Sequence, residues 1–302
     1  MSFINWGSES PEQLEIRRRF EEQALYEQAV RMAQAKANAV AGSGGDPLTG
    51  LYGVGINGLI YSLNRSEANW EFNYLPFPDI TSLALNKDDG FLYAIVDYAG
   101  IVYFIKIDRT TREFIFIENN ISDFVTKGSS SLYYEGNGSF IYLDNFYKSS
   151  VSSIIRITLN EFSPGAATVE EVSEVDSEIS GFLLRNIFLY DDTPWAIANN
   201  LGTDIIVGPF DIVTGSFIYS NLLLPSPNQP NISNILGVFS TTEHNGSVYI
   251  DLVWEDDNED ANLGLFKMDT EYGGALAPYY VTFIKDLFIG AEGEPIFSIA
   301  SF

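Results

Sequence analysis

The chain contains no cysteine. That excludes disulfides, thiolate-bound zinc and a thiol nucleophile together, and it leaves the redox compartment open. Histidine is almost as scarce: His244, the single one, lies in Thr242-Glu243-His244-Asn245-Gly246. A histidine-built metal cluster within one chain is therefore impossible, and a Ser-His-Asp triad would have to pass through this residue. In such a turn a histidine is expected to be solvated. No apolar run reaches the ~18 residues of a membrane-spanning helix, and the best candidate, 181–190, is interrupted by Arg185. The start, Met1-Ser2-Phe3-Ile4-Asn5-Trp6, has neither the basic nor the apolar segment of a secretory signal. Nucleotide-binding glycine motifs and the G-x-S-x-G nucleophile elbow are also missing. Gly53-Val54-Gly55-Ile56-Asn57-Gly58 has the glycines but reads as a β-hairpin, without the helix that phosphate binding needs.

Basic residues are few. Lys and Arg total 16 against 41 Asp and Glu, a formal charge of −25. The first 41 residues hold six acids and five bases, so −24 lies beyond them. A body of that charge repels phosphate and anionic lipid, so no direct contact with nucleic acid or membrane is expected. Its plainest use is solubility.

Aromatic residues are abundant, with 22 Phe and 17 Tyr, a balance that favours sheets. Residues 81–117 show how they are used. Apolar 82–85 leads to the turn Lys87-Asp88-Asp89-Gly90, strand formers 91–96 to the turn Asp97-Tyr98-Ala99-Gly100, and 101–107 through a polar link to 113–117. Short runs of aromatic and β-branched residues bounded by Asp and Gly predict an antiparallel meander. Aromatic strands ending near Asn or Asp recur at 51–57, 91–97, 140–144, 194–199 and 247–251, with a last copy at 295–302. Their spacing of about 40–54 residues is that of propeller blades. Four full blades start at Ile80, Ser130, Phe182 and Leu236, and the hairpin 51–75 with 286–302 would make a fifth from both chain ends. The expected fold is thus an all-β propeller of five blades, with six as the alternative, closed by pairing of its terminal strands.

Ahead of the propeller the signals change. Ser10-Pro11-Glu12-Gln13 combines an N-cap serine, a first-turn proline and glutamine at the third helical position. From there to Val40 there is no further Pro and no Gly. An N-terminal α-helix over about 30 residues, roughly 45 Å long, is predicted. The resulting division is a helical anchor 1–41, a glycine-rich linker 42–50 and the propeller 51–302. Ile16, Phe20, Tyr26, Val30, Ala33 and Ala37 follow three- and four-residue steps, whereas Leu14, Leu25 and Met32 occupy a second side. Apolar residues on two sides predict insertion between partners or self-association, with a helix folded back onto its own domain as the alternative, so these nine positions are the expected partner-binding surface. Arg17-Arg18-Arg19, with Glu21 and Glu22 a turn away, reads as a salt-bridged face.

Asn57, Asp97, Asp144, Asn199 and Asp251 are the most regular polar series. As structure, Asx side chains cap the turn that follows each second strand, and this is the expected role. As chemistry, a ring of carboxylates could supply the acid and base of glycoside hydrolysis or hold a cation. Asp256-Asp257-Asn258-Glu259-Asp260 opens like a calcium loop, but Ala261 stands where glycine is needed and Lys267 where the bidentate Glu belongs. Tyr98, Phe146, Tyr147 and Trp254 fall at expected hairpin tips, where they could stack on sugars. No catalytic residue, metal site or cofactor is assigned.

The opening segment, Phe3-Ile4-Asn5-Trp6-Gly7-Ser8-Glu9-Ser10-Pro11-Glu12-Gln13 and then Arg17-Arg18-Arg19-Phe20-Glu21-Glu22-Gln23-Ala24-Leu25-Tyr26, resembles virion proteins of tailed bacteriophages. That resemblance implies a non-enzymatic virion component, made in the host cytoplasm, that joins other virion proteins or further copies of itself through its helix. The alternative is a carbohydrate-binding or glycoside-hydrolysing propeller.

Overall fold

The structure, a computed structural model, describes residues 50–55, 60–63, 71–73, 80–98, 100–108, 113–118, 121–122, 125, 131–144, 151–160, 166–176, 178–179, 182–200, 204–227, 232–258, 260–269, 278–286, 288–289 and 294–301. The expected helix, with Leu14, Ile16, Phe20, Leu25, Tyr26, Val30, Met32, Ala33 and Ala37, lies outside the described residues. The chain divides into a unit of Met1–Gly45 with Asp88–Gly90 and a unit of Asp46–Lys87 with Phe91–Phe302. Of the first, only Asp88–Gly90 is described, as the turn between two strands.

The second unit is built from β-strands, and chain order supplies almost all its pairing. β1 (Leu51–Gly55), β2 (Ile60–Leu63) and β3 (Glu71–Asn73) pair in sequence. β4 (Ile80–Leu85), β5 (Leu92–Tyr98), β6 (Ile101–Ile107) and β7 (Phe114–Glu118) form one antiparallel sheet. β8 (Leu132–Gly136), β9 (Ser139–Asp144), β10 (Val151–Leu159) and β11 (Ala167–Asp176) form the next. The short β12 (Glu178–Ile179) leads into β13 (Phe182–Tyr190), β14 (Thr193–Asn199) and β15 (Ile205–Asp211), whose outer edge takes both β16 (Ser216–Phe217) and β17 (Asn221–Pro225). β18 (Ile232–His244), β19 (Ser247–Asp256), β20 (Ala261–Asp269) and β21 (Tyr279–Asp286) follow. β22 (Phe288–Ile289) and β23 (Glu294–Ser301) end the chain.

Three of the hairpins that open these meanders are two-residue turns with both central residues at positive φ: Asn137-Gly138, Asp191-Asp192 and Asn245-Gly246. That conformation matches the twist of antiparallel strands, and Asn, Asp and Gly are the residues that tolerate it. β23 pairs antiparallel with β1, from Leu51↔Ser301 to Gly55↔Ile296, so the two chain ends share one sheet. The innermost strands β23, β4, β8, β13 and β18 touch in succession, and β18 touches β23, completing a cycle. This is a β-propeller of five blades around that cycle. Blade 1 carries β23 and β1–β3, and blades 2 to 5 follow from β4, β8, β13 and β18.

Period-two alternation sends each strand's side chains into the seams on its two sides. Tyr93 and Ile95 enter the seam between blades 2 and 3, whereas Leu92, Ala94 and Val96 pack toward Val54 of blade 1. In the first of these seams the Phe140 ring lies 4.6 Å from Tyr93 and 5.3 Å from Phe104, centroid to centroid. Ile141 and Leu143 of β9 turn instead to Ile187 and Ala196 of blade 4. Between blades 4 and 5, Phe188, Trp195, Phe266 and Tyr279 make a second aromatic seam.

One connection differs from the expected blade. At the outer edge of blade 4 only Ser216–Phe217 pairs directly after the turn, and β17 takes over. β17 then pairs in parallel with β21, which joins blades 4 and 5 into one continuous sheet.

Candidate functional site

All second strands run the same way relative to the axis, so the polar residues near their ends gather at one end of the propeller. The structure does not place them equivalently. Asp97 and Asn199 share a register: each lies two residues beyond the partner of a buried polar residue of the inner strand, in the pairs Ser82↔Ile95 and Asn186↔Ile197. Asp97 caps the turn, its Oδ1 accepting a hydrogen bond from Gly100 N at 3.1 Å, as expected of an Asx residue. Asn199 does something else: its Oδ1 accepts from Arg185 Nε at 2.5 Å. Asp144 shares a face with Phe140 and Tyr142, so it points back toward blade 2. Asp97 points toward blade 3, on the face of Tyr93 and Ile95. Two carboxylates, both buried, thus enter one seam at one end of the ring from opposite walls. Asn57 lies outside the described residues.

Asp251 is not a turn residue. It lies mid-strand, opposite Ser240 on β18 and Leu265 on β20, and β19 runs on to Asp256 before turning. Its side chain is fully buried, and neither carboxylate oxygen has a hydrogen-bond partner. Burial alone pushes its carboxyl well above the ordinary aspartate value. The sequence pattern ends the run of strand formers at Asp251, whereas β19 continues through Leu252, Val253 and Trp254 to Asp256.

Other expected positions also move. His244 is buried rather than solvated, with its ring edge-on to Tyr249 at 5.9 Å and Asn245 Nδ2 3.0 Å from its Nε2. Trp254 is no exposed tip; it packs edge-on against Phe266 and Phe283 within the strand pair. Phe146 and Tyr147, and the side chain of Tyr98, are outside the described residues. In the acidic loop, Asp256 Oδ1 accepts from Asn258 N at 2.8 Å and Asp260 N at 3.0 Å, so this carboxylate holds its own turn.

A second feature, with no signal in the sequence, lies on the axis at the opposite end. Residues of β4 and its following turn, β8, β13 and β18 line an open cavity of about 40 Å³, room for about three or four waters on the scale of roughly 10–15 Å³ each. Tyr133 and Thr241 line it, and neither hydroxyl has a hydrogen-bond partner. Burial first, and Glu135 second, push the Tyr133 phenol far up. Lys87 and Glu243 line the same cavity and form an ion pair at 2.8 Å.

Fold and site together define a β-propeller with buried carboxylates at one end. No protein-family model matches the chain, and no curated protein does. Among solved structures it is similar to an engineered GH43 glycoside hydrolase with endo-xylanase and exo-arabinofuranosidase activity, at 13% identity and a TM-score of 0.45 over 70% of this chain and 42% of that one. It is similar to the Bacteroides ovatus xyloglucan PUL GH43B at 12% identity and TM-score 0.45, over the same shares. An exo-1,5-α-L-arabinanase from a bovine ruminal metagenomic library matches at 13% identity and TM-score 0.41, over 72% of this chain and 84% of that one. The chain spans about two fifths of the length of the first two. At these identities no residue's role is carried over. The expectation of a non-enzymatic virion component is corrected here: three of the solved structures it is similar to are glycoside-acting enzymes and a fourth is the Kuenenia stuttgartiensis hydrazine synthase, and none of these belongs to a virion.

Proposed function

We propose that the chain is a carbohydrate-active propeller that binds or hydrolyses glycans at the end where the second strands finish. The observation that carries this reading is the pair Asp97 and Asp144, two buried carboxylates entering one seam from neighbouring blades. Paired carboxylates are what glycoside hydrolysis requires, one to protonate the leaving oxygen and one to activate water or attack. In a binding protein the same pair would accept hydrogen bonds from sugar hydroxyls. Arg185, held by Asn199 at this end, adds a cationic donor for ring or exocyclic oxygens.

The test uses the full chain on a glycan array and on a panel of plant polysaccharides, xylan and arabinan among them. Binding or sugar release is expected for the natural chain and is expected to disappear in Asp97→Asn with Asp144→Asn. Loss confined to a variant that still unfolds cooperatively supports the assignment. A folded natural chain that neither retains nor cleaves any glycan refutes it.

A further inference from the structure

The seam between blade 5 and blade 1 is where the ring is closed, because blade 1 is assembled from both chain ends. Opening it breaks no covalent continuity within a blade; β18 and β19 need only separate from β23. Val248, Ile250 and Leu252 of β19 face the blade 4 seam, so Tyr249, Asp251 and Val253 alternate to the other side, toward β23, which β19 contacts. Ile299 N of β23 donates to Ser240 Oγ across this seam at 3.0 Å, and Ser240 is the residue directly opposite Asp251. The carboxyl of Asp251 is therefore sealed beside the hydrogen bond that crosses the seam.

Titratable groups sharing its face are His244 on β18, Tyr249 and Glu255 on β19, Lys267 and Asp269 on β20, and Tyr280 on β21. From β23 and β1 the described side chains are the apolar Ile299 and Leu51, with Gly53 opposite Ile299. None of these groups offsets the charge of Asp251; with both carboxylate oxygens buried and unpartnered, desolvation favours its neutral form. An unpaired carboxylate is not tolerated in such surroundings, and water reaches it only when the seam parts.

We propose that the ring closes over Asp251 only while its side chain is neutral, and that loss of its proton opens the blade 5 to blade 1 seam and releases β23 and β1. This goes beyond the glycan-binding reading and does not depend on it. Opening releases one proton, so the opening equilibrium rises about tenfold for each pH unit between the ordinary aspartate value and the raised one.

Amide hydrogen exchange of the full chain across a pH series reads this directly. After correction for the base catalysis common to every amide, β23 and β18 are expected to show that excess, while β8 and β13 are not. Asp251→Asn, which cannot ionise, is expected to flatten the profile. Asp251→Leu, apolar and of similar size, is expected to do the same where the amide is not accommodated. An undiminished excess in both variants overturns the proposal, as does an excess spread evenly over all five seams.

Discussion

Lys87 and Glu243 stand 156 residues apart in the chain, yet Lys87 Nζ lies 2.8 Å from Glu243 Oε2. Lys87 lies in the turn after β4 and Glu243 near the end of β18, inner strands that are not neighbours, since β23 stands between them in the cycle. The pair thus spans the mouth of the axial cavity rather than a seam. Gly246 N also donates to Glu243 Oε1, at 2.9 Å, which fixes the carboxylate over its own turn.

Because Lys87 is 52% exposed, the ion pair is expected to contribute little to stability. Lys87→Met should cost no more than about 1 kcal/mol, and less in high salt. Burial raises the Glu243 carboxyl, but Lys87 and the Gly246 N–H outweigh it and leave it below the ordinary 4.5. A lowered folded value means the contribution is complete above the ordinary glutamate value and is lost as pH falls through the folded one. Urea denaturation should therefore show a constant deficit for Glu243→Gln at neutral pH that shrinks under acid conditions. A deficit that grows as the pH falls would contradict this assignment.

Serine hydroxyls take the place of backbone partners between blades. Ser131 Oγ accepts from Ile187 N and donates to Ile187 O, both at 2.8 Å, just past the irregularity between Leu184 and Asn186 where β13 leaves its register with β14. Ser131→Ala removes both bonds from a buried site and should cost about 1–3 kcal/mol. Ser240→Ala removes one bond, from Ile299 N across the blade 5 to blade 1 seam, and should cost less. Equal losses in chemical denaturation would show that the second bond to Ile187 adds nothing.

Much of this architecture was legible in the sequence, because strand formers and turn residues alternate at blade spacing. Residues 81–117 fold as β4 to β7 nearly as their pattern indicates, and the expected starts at Ile80 and Phe182 coincide with β4 and β13. Closure by the two chain ends follows from the same repeat, since β1 to β3 are one strand short of a four-stranded blade and β23 supplies it. The site was less legible. Asp97, Asp144 and Asp251 look alike in the sequence, and what separates them is the face each occupies and how far its strand runs on past it. Period two makes a shift of one residue reverse the wall a side chain enters, and no local composition records it. The Lys87 to Glu243 contact was illegible for a different reason: it joins strands that the repeat does not make adjacent.

The aromatic seam between blades 2 and 3 should be the costliest to weaken. Phe140 is fully buried and touches the rings of Tyr93, Phe104 and Tyr134 at centroid distances of 4.6, 5.3 and 5.1 Å. Phe140→Ala opens a cavity that rigid strands cannot collapse, with an expected loss of about 3–5 kcal/mol in equilibrium unfolding. Phe140→Leu, which keeps much of the volume, should lose less. A loss below that of Ser131→Ala would mean the seam relaxes around the missing ring.

Two glycines separate close approach from simple absence of a side chain. A Cβ on Gly208 would sit 2.1 Å from the carbonyl oxygen of Tyr219 and 3.1 Å from Ser220 Cα, both backbone, where β16 gives way to β17. Neither atom can yield without moving the strand that ties blade 4 to blade 5 through β21. Gly208→Ala should therefore cost at least the roughly 1–3 kcal/mol of an overpacked core, with faster amide exchange in β17 and β21 than in β4 or β8. Gly237, on β18, meets nothing within 4 Å. Gly237→Ala should be neutral, or stabilise by up to about 1 kcal/mol through the unfolded chain's reduced freedom. The contrast between the two melting temperatures tests whether Tyr219 holds the strap in place, because a Gly208→Ala variant as stable as the natural chain would show that β17 is free to shift.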